Sequence, residues 1–276
     1  MKHWITALGA CLLTTPANAH DTPDMEMWRL DCGSFELSDT APFSDAHLYD
    51  GQKRTLTDSC YVIRHGDQYL LWDTGLPSAL KGQTVTQWVF TTTVTKTIKE
   101  QLTEIGIDPS QITYVGISHY HDDHIGQAAE FPNATLVIGS LDADAVTSGE
   151  MEQTRAQLAP WLAEGATGKV LRRRADLDLF EDGSVLITST PGHTPGHASL
   201  LVRLPKTGDV LLTGDLYHFE EQIANRGVPA FNTDRADTLA SFERFNATAK
   251  ALDAKVVIQH DPRHISRLPI FPESAK

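Results

Sequence analysis

The sequence of 276 residues predicts an α/β fold. Three observations carry that expectation. Short apolar runs rich in β-branched and aromatic residues recur along the chain, flanked by Gly, Pro, Asp and Asn. Two longer stretches space their apolar residues as a helix does. Side chains of the metal-binding types stand where several of the strand-like runs stop.

The strand-like runs, in order, are Cys60 to Ile63, Tyr69 to Trp72, Thr113 to Ile117, Thr135 to Ile138, Val185 to Ser189, Ser199 to Arg203, Val210 to Leu212 and Lys255 to Ile258. Between the second and third, Thr95 to Ile105 reads as a helix, with Ile98, Leu102 and Ile105 on one face. Asp234 can cap a longer helix through Leu252, whose apolar face carries Leu239, Phe242, Ala249 and Leu252. Trp88, Val89 and Phe90 form an apolar cluster ahead of the first helix, suited either to a core or to an acyl chain. The chain shows no short internal repeat and no low-complexity linker.

The most informative segment is S-H-Y-H-D-D-H, which places His119, His121, Asp123 and His124 directly after the run ending at Ile117. A strand ending in such a turn can aim two imidazoles at one cation and leave the Asp and third His for another. Imidazole nitrogen and carboxylate oxygen suit zinc and its first-row neighbours. Three later strand ends add His193 in T-P-G-H-T-P-G-H, Asp215 in L-L-T-G-D and His260 in V-V-I-Q-H-D. Five His and two Asp suffice for two cations with Asp215 as a bridge and room for water. A closed structural zinc site needs only four ligands, and catalytic sites keep a position open.

These motifs, with W-D-T-G at Trp72 to Gly75 and P-G-H-T-P-G-H at Pro191 to His197, resemble the metallo-β-lactamase superfamily from about Leu30 to Pro269. G-D-L-Y-H-F from Gly214, N-R-G-V-P-A-F-N from Asn225 and Q-H-D resemble its N-acyl-homoserine lactone lactonases. The resemblance implies a four-layer αββα sandwich with the metals at one edge between the sheets. It implies that His119, His121 and His193 hold one metal, that Asp123, His124 and His260 hold the other, and that Asp215 bridges them. Two zinc ions, or other first-row divalent metals, would make hydroxide available to attack the lactone carbonyl, with Asp123 and Asp215 as catalytic ligands. Asp73 would fix the tautomer of a ligating imidazole or stabilise its own turn, and His197 reads as structural or outer to the ligands. The lactonases carry a Tyr three residues past the bridging Asp. Here that position is His218, with Tyr217 one residue earlier, so either side chain could assist at the carbonyl or leaving group.

A net charge of −13 and a single basic cluster, Arg172-Arg173-Arg174, weigh against nucleic-acid partners, and the cluster reads as a solvated turn. Lys2, the apolar stretch Ile5 to Leu13 and Ala17-Asn18-Ala19 read as a signal peptide over residues 1–19. A lipoprotein box ending at Cys11 is the competing reading. A single domain over 20–276, periplasmic or secreted and without a membrane span, follows as the expectation, as monomer or homodimer. Cys32 and Cys60 are expected to form a disulfide in that setting. His47, His65 and His264 read as surface or packing residues, as do His3 and His20. Glyoxalase II-like thioesterases carry nearly the same ligands, and aryl-ester or phosphotriester hydrolysis uses the same nucleophile. A non-catalytic metal-binding protein is the third reading.

Overall fold

The computed structural model describes residues 24–149 and 151–276, so the leader read at residues 1–19 lies outside the described residues. Its strands are β1 (Met25–Leu37), β2 (Arg54–His65), β3 (Gln68–Trp72), β4 (Thr84–Gln87), β5 (Phe90–Thr93), β6 (Ile112–Gly116), β7 (Thr135–Gly139), β8 (Val170–Arg173), β9 (Leu177–Asp178), β10 (Val185–Ser189), β11 (Ala198–Leu204), β12 (Gly208–Leu212) and β13 (Lys255–Val257). Its helices are α1 (Ile98–Glu104), α2 (Asp122–Ile125), α3 (Ser140–Ser148), α4 (Glu152–Gln157), α5 (Ala159–Leu162), α6 (Glu221–Asn225) and α7 (Arg235–Ala251).

The strands form two sheets, ordered β4-β5-β1-β2-β3-β6-β7-β8 and β13-β12-β11-β10-β9. Successive side chains in a strand point to opposite faces, and β2 and β3 use both. Cys60, Val62 and Leu71 face a core shared with Ile98 and Leu102 of α1 and Ala143 and Val146 of α3. Tyr61, Ile63, Leu70 and Trp72 face the second sheet and meet Val185, Ile187, Leu200 and Leu212. The outer face of that sheet packs Leu201 and Leu211 against Phe242 and Phe245 of α7. Helix, sheet, sheet and helix therefore stack as the αββα sandwich.

Local chemistry explains the element ends. Thr97 caps α1 with a reciprocal capping box through Glu100, and Asp234 caps α7 by accepting from the Asp237 N–H. The W-D-T-G turn leaves β3 with Asp73 and Gly75 at positive φ (56° and 60°). Any Cβ on Gly75 would stand 2.3 Å from Cys32 Cβ, so the turn is pressed against β1. Cys32 and Cys60 are joined there as the expected disulfide between β1 and β2.

Two expectations change. Arg172 and Arg173 belong to β8 rather than a solvated turn, and Arg173 is only 6% exposed. The sequence places Cys32 in or beside a strand-like run without bounds, and β1 extends that run over Met25–Leu37; its bounds are hidden in the sequence because Glu26, Arg29 and Asp31 interrupt its apolar residues and a register shift at Asp31/Gly33 breaks its alternation.

Candidate metal centre

Every expected ligand arrives from the end of a strand. β6 ends at Gly116, and the next turn delivers His119 and His121 before α2 presents Asp123 and His124. The turn is pinned on both sides: Ser118 N–H donates to Asp73 Oδ1 at 2.7 Å, and the Ser118 carbonyl accepts from Ala198 N–H at 2.9 Å. His193 follows β10, Asp215 follows β12 and His260 follows β13.

These residues gather into two groups, His119, His121, His193 and Asp215, then Asp123, His124 and His260. In the first, His193 Nε2 lies 3.1 Å from His119 Nε2 and 2.9 Å from His121 Nδ1. In the second, His260 Nε2 lies 3.3 Å from His124 Nε2 and 3.8 Å from Asp123 Oδ2. Asp215 reaches both. Its Oδ1 stands 3.1 Å from His124 Nε2 and 2.8 Å from His260 Nε2, and its Oδ2 stands 3.4 Å from His193 Nε2.

The donor set fits cations. His193 Nδ1 faces Asn232 Oδ1 (2.8 Å), His260 Nδ1 faces the Thr57 carbonyl (2.8 Å), and His124 Nδ1 faces Asp73 Oδ2 (3.0 Å). Those oxygens accept only, so each Nδ1 carries the proton and each Nε2 lone pair points into the centre. Burial, with neighbouring imidazoles, holds His119 and His193 well below the usual histidine range, so they are neutral ligands. Burial lowers His260 too, but the Asp215 carboxylate more than offsets it and raises the group to about 9. His124 is raised in the same way by Asp215, Asp123 and Asp73 against its burial. The carboxylates thus favour positive charge at these nitrogens, which a cation supplies in place of a proton.

The two candidate donors separate. Tyr217 is fully buried, stacks on Phe242 and accepts from Asn246 Nδ2 at 2.9 Å, so the expectation that it could reach substrate is corrected. His218 faces the centre, with Nε2 3.1 Å from Asp215 Oδ2 and Nδ1 buried without a partner. One residue of backbone rotation after β12 decides this: the outward side chain completes the α7 core and the next turns inward. Asp73 orients His124 as the tautomer argument requires. His197 accepts the Asp215 N–H at Nε2 (3.0 Å) and meets the Thr190 carbonyl at Nδ1 (2.9 Å), outside both groups. Among the remaining histidines, His47 is exposed beside Asp50, His65 stacks on Phe180, and His264 accepts the Ile258 N–H; His3 and His20 lie outside the described residues.

The structure adds residues the sequence reading missed. Asp58 on β2 is buried, accepts the Leu76 N–H at 3.0 Å, and is raised well above the usual carboxylate range by burial and then by Asp123. Asn232 and Phe231 come from the N-R-G-V-P-A-F-N segment, whose motif alone assigns them no role: Asn232 Oδ1 faces His193 Nδ1 and Phe231 lines the cavity above the ligands. Above the ligands opens a cavity of about 550 Å³. His121, Asp123, Asp215, His218 and His260 line its floor, and Phe35, Phe43, Trp88, Phe90 and Phe231 its wall. Trp88, at the tip of the β4–β5 hairpin, is 69% exposed and lines the cavity with Phe90, while Val89 and Phe90 also pack against the core of Phe35, Phe43 and Leu76, so the apolar cluster there serves both cavity and core.

Comparisons with known proteins agree with this fold. The family model of the metallo-beta-lactamase superfamily matches residues 55–260. An N-acyl homoserine lactonase AttM of Azorhizobium caulinodans is 33% identical over 175 residues, covering 59% of this chain and 63% of the relative. The matched stretch therefore spans 63% of the length of that relative. An N-acyl homoserine lactonase of a Bacillus species is 29% identical over 234 residues, covering 82% of this chain and 90% of the relative. A solved N-acyl homoserine lactone hydrolase, with the product N-hexanoyl-L-homoserine at its catalytic metal center, superposes with a TM-score of 0.76 at 24% identity, covering 92% and 99% of the two chains. On the match across residues 55–260, with the same sandwich behind it, this chain belongs to the metallo-beta-lactamase superfamily.

Proposed function

We propose that the chain hydrolyses N-acyl homoserine lactones to N-acyl homoserines, with two divalent cations, zinc or a first-row neighbour, in the two ligand groups. The observation that carries the reading is the gathering of seven ligand-type side chains into two adjacent groups, four of which (His121, Asp123, Asp215 and His260) open onto a cavity with an aromatic wall. The lactonase relatives and the product-bound neighbour support it. The bound cations would supply the acidification of a water and the polarisation of a carbonyl.

The chain's own residues do the rest. Phe35, Phe43, Phe90, Trp88 and Phe231 offer an apolar surface for an acyl chain and exclude water beside the ring. Asp215 keeps the two ligand groups at fixed spacing through its two oxygens. His218 stands beside Asp215 at the cavity floor, where an imidazole can pass a proton to the departing ring oxygen. Hydroxide adds to the carbonyl carbon, the ring C–O bond breaks, and the freed oxygen leaves as a hydroxyl. At neutral pH the new acid ionises and one proton per turnover reaches solvent.

Export to an oxidising compartment belongs to the same proposal. The Cys32–Cys60 disulfide supports it, since such bonds persist outside reducing cytosol. The test is proton release by the metal-replete chain with short- and long-chain N-acyl homoserine lactones, beside a glutathione thioester, an aryl ester and a β-lactam. Lactone turnover at least tenfold above the others is expected. Preferential cleavage of the thioester or β-lactam contradicts the substrate assignment while leaving the metal centre intact.

A further inference from the structure

A second cavity, of about 710 Å³, shares no lining residue with the first. Arg172 and Arg173 of β8 and the following Arg174 line it, together with Gly139 and Ser140 at the start of α3. Arg173 is 6% exposed. Its Nη1 donates to Ser189 Oγ at 2.8 Å and its Nη2 to the Gly196 carbonyl at 2.5 Å, while its Nε–H has no acceptor. Burial lowers this guanidinium to about 10, so it remains charged at neutral pH.

Among the described residues no carboxylate forms an ion pair with Arg173. The two acids whose charge reaches it are engaged elsewhere. Asp142 accepts from Thr194 Oγ1 (2.8 Å) and Gly196 N–H (2.6 Å), and Asp176 pairs with Arg244. At the rim Arg172 pairs with Asp144, and Asp237 also lines the cavity, whereas Arg174 is exposed and makes no ion pair among the described residues. A buried cation without a counter-ion is costly. No side chain caps the first N–H groups of α3, which adds to the positive potential, and Asp142 in its first turn opposes it only when ionised, burial having raised that carboxyl to about 7. The Ser140 hydroxyl is also buried without a partner.

We infer that this cavity is an anion site, which takes a small oxyanion, a carboxylate or a phosphate group, between Arg173, Arg174 and the start of α3. Leu141, Pro191 and Pro195 give the lining an apolar part, which leaves room for a short hydrocarbon tail on that anion.

The test follows the unfolding midpoint of the metal-loaded chain against rising inorganic phosphate, and separately butanoate, with ionic strength held constant by chloride. A ligand that binds only the folded state raises the midpoint. A saturable rise with at least one of the two anions is expected, and which anion acts names the source. Arg173→Gln should raise the half-saturating concentration at least tenfold, and Arg174→Gln several-fold. Arg174 is exposed, so its variant keeps the test sharp if Arg173→Gln fails to fold. Phosphate held only by the metal centre would act equally on wild type and both variants. That result, or no saturable rise with either anion, overturns the inference.

Discussion

Asp73→Asn isolates the part of the centre that orients a ligand without touching a metal. Asp73 is fully buried at φ 56°, a conformation asparagine accepts about as readily as aspartate, so the backbone is undisturbed. Its carboxylate receives Ser118 N–H at 2.7 Å, His124 Nδ1–H at 3.0 Å and Gln259 Nε2–H at 3.0 Å. An amide keeps one accepting oxygen and turns the other position into a donor. If the oxygen stays with Ser118, the new NH2 faces His124 and Gln259. Gln259 can rotate to offer Oε1, which is buried and has no partner in the native chain. His124 can accept at Nδ1 only by moving its proton to Nε2, which then points at the metal position. Loss of such an orienting partner costs about 10–100-fold in metal affinity, or roughly 1.4–2.8 kcal/mol. Competition with a chromophoric chelator would read the two sites. The site holding Asp123, His124 and His260 should weaken by that factor, and the site holding His119, His121 and His193 should change less than threefold. Unchanged affinity, or equal losses at both sites, refutes the tautomer argument.

The other predictions concern the donor, the disulfide and a buried acid. His218→Ala should lower kcat for lactone opening by about 10²–10⁴ with metal content unchanged, whereas Tyr217→Phe should leave kcat alone and cost about 1 kcal/mol of stability through Asn246; the reverse pattern returns the role to Tyr217. The Cys32–Cys60 bridge spans a sequence separation of 28, so the Cys32→Ser/Cys60→Ser variant should lose roughly 3–4 kcal/mol in urea unfolding, and an unchanged midpoint contradicts this. Burial, only partly offset by Thr194, Gly196 and Arg173, raises Asp142 to about 7. An unfolded aspartate ionises near ~3.9, so between about pH 4 and 7 the folded chain holds a proton that the unfolded chain has released. Its contribution to stability is therefore complete below about pH 4 and falls as pH rises to about 7, by at most roughly 4 kcal/mol. Asp142→Asn should flatten that slope in urea midpoints across this range, and an unaltered slope contradicts the assignment.

Much of the fold and site is legible in the sequence because strand ends and ligand residues share short motifs. The runs containing Tyr69 to Trp72 and Val185 to Ser189 are strands that bury Leu70, Leu71 and Trp72, and Val185 and Ile187, and their apolar content is visible in the local sequence alone. Asp234 and the face of α7 follow from capping and helical spacing. The ligand positions read directly, since His119, His193, Asp215 and His260 each follow a strand. What stayed hidden depends on distant partners. The threonine-rich β4–β5 hairpin is half-exposed and gains its sheet place from β1. Asp58 looks like an ordinary polar residue until β2 brings it under the ligands. Arg173 reads as solvated because its burial comes from Ser189 and Gly196, both remote in sequence. Tyr217 and His218 could not be separated by pattern, because the direction of each is set by the backbone after β12.

The most direct test of the account is stepwise addition of zinc to chelator-stripped chain while proton release from an N-acyl homoserine lactone is followed. Two ligand groups joined by Asp215 predict that turnover rises until two equivalents are bound and then levels, with Asp215→Ala inactive although folded. Full turnover at one equivalent, turnover without metal, or near-native activity in Asp215→Ala would contradict it.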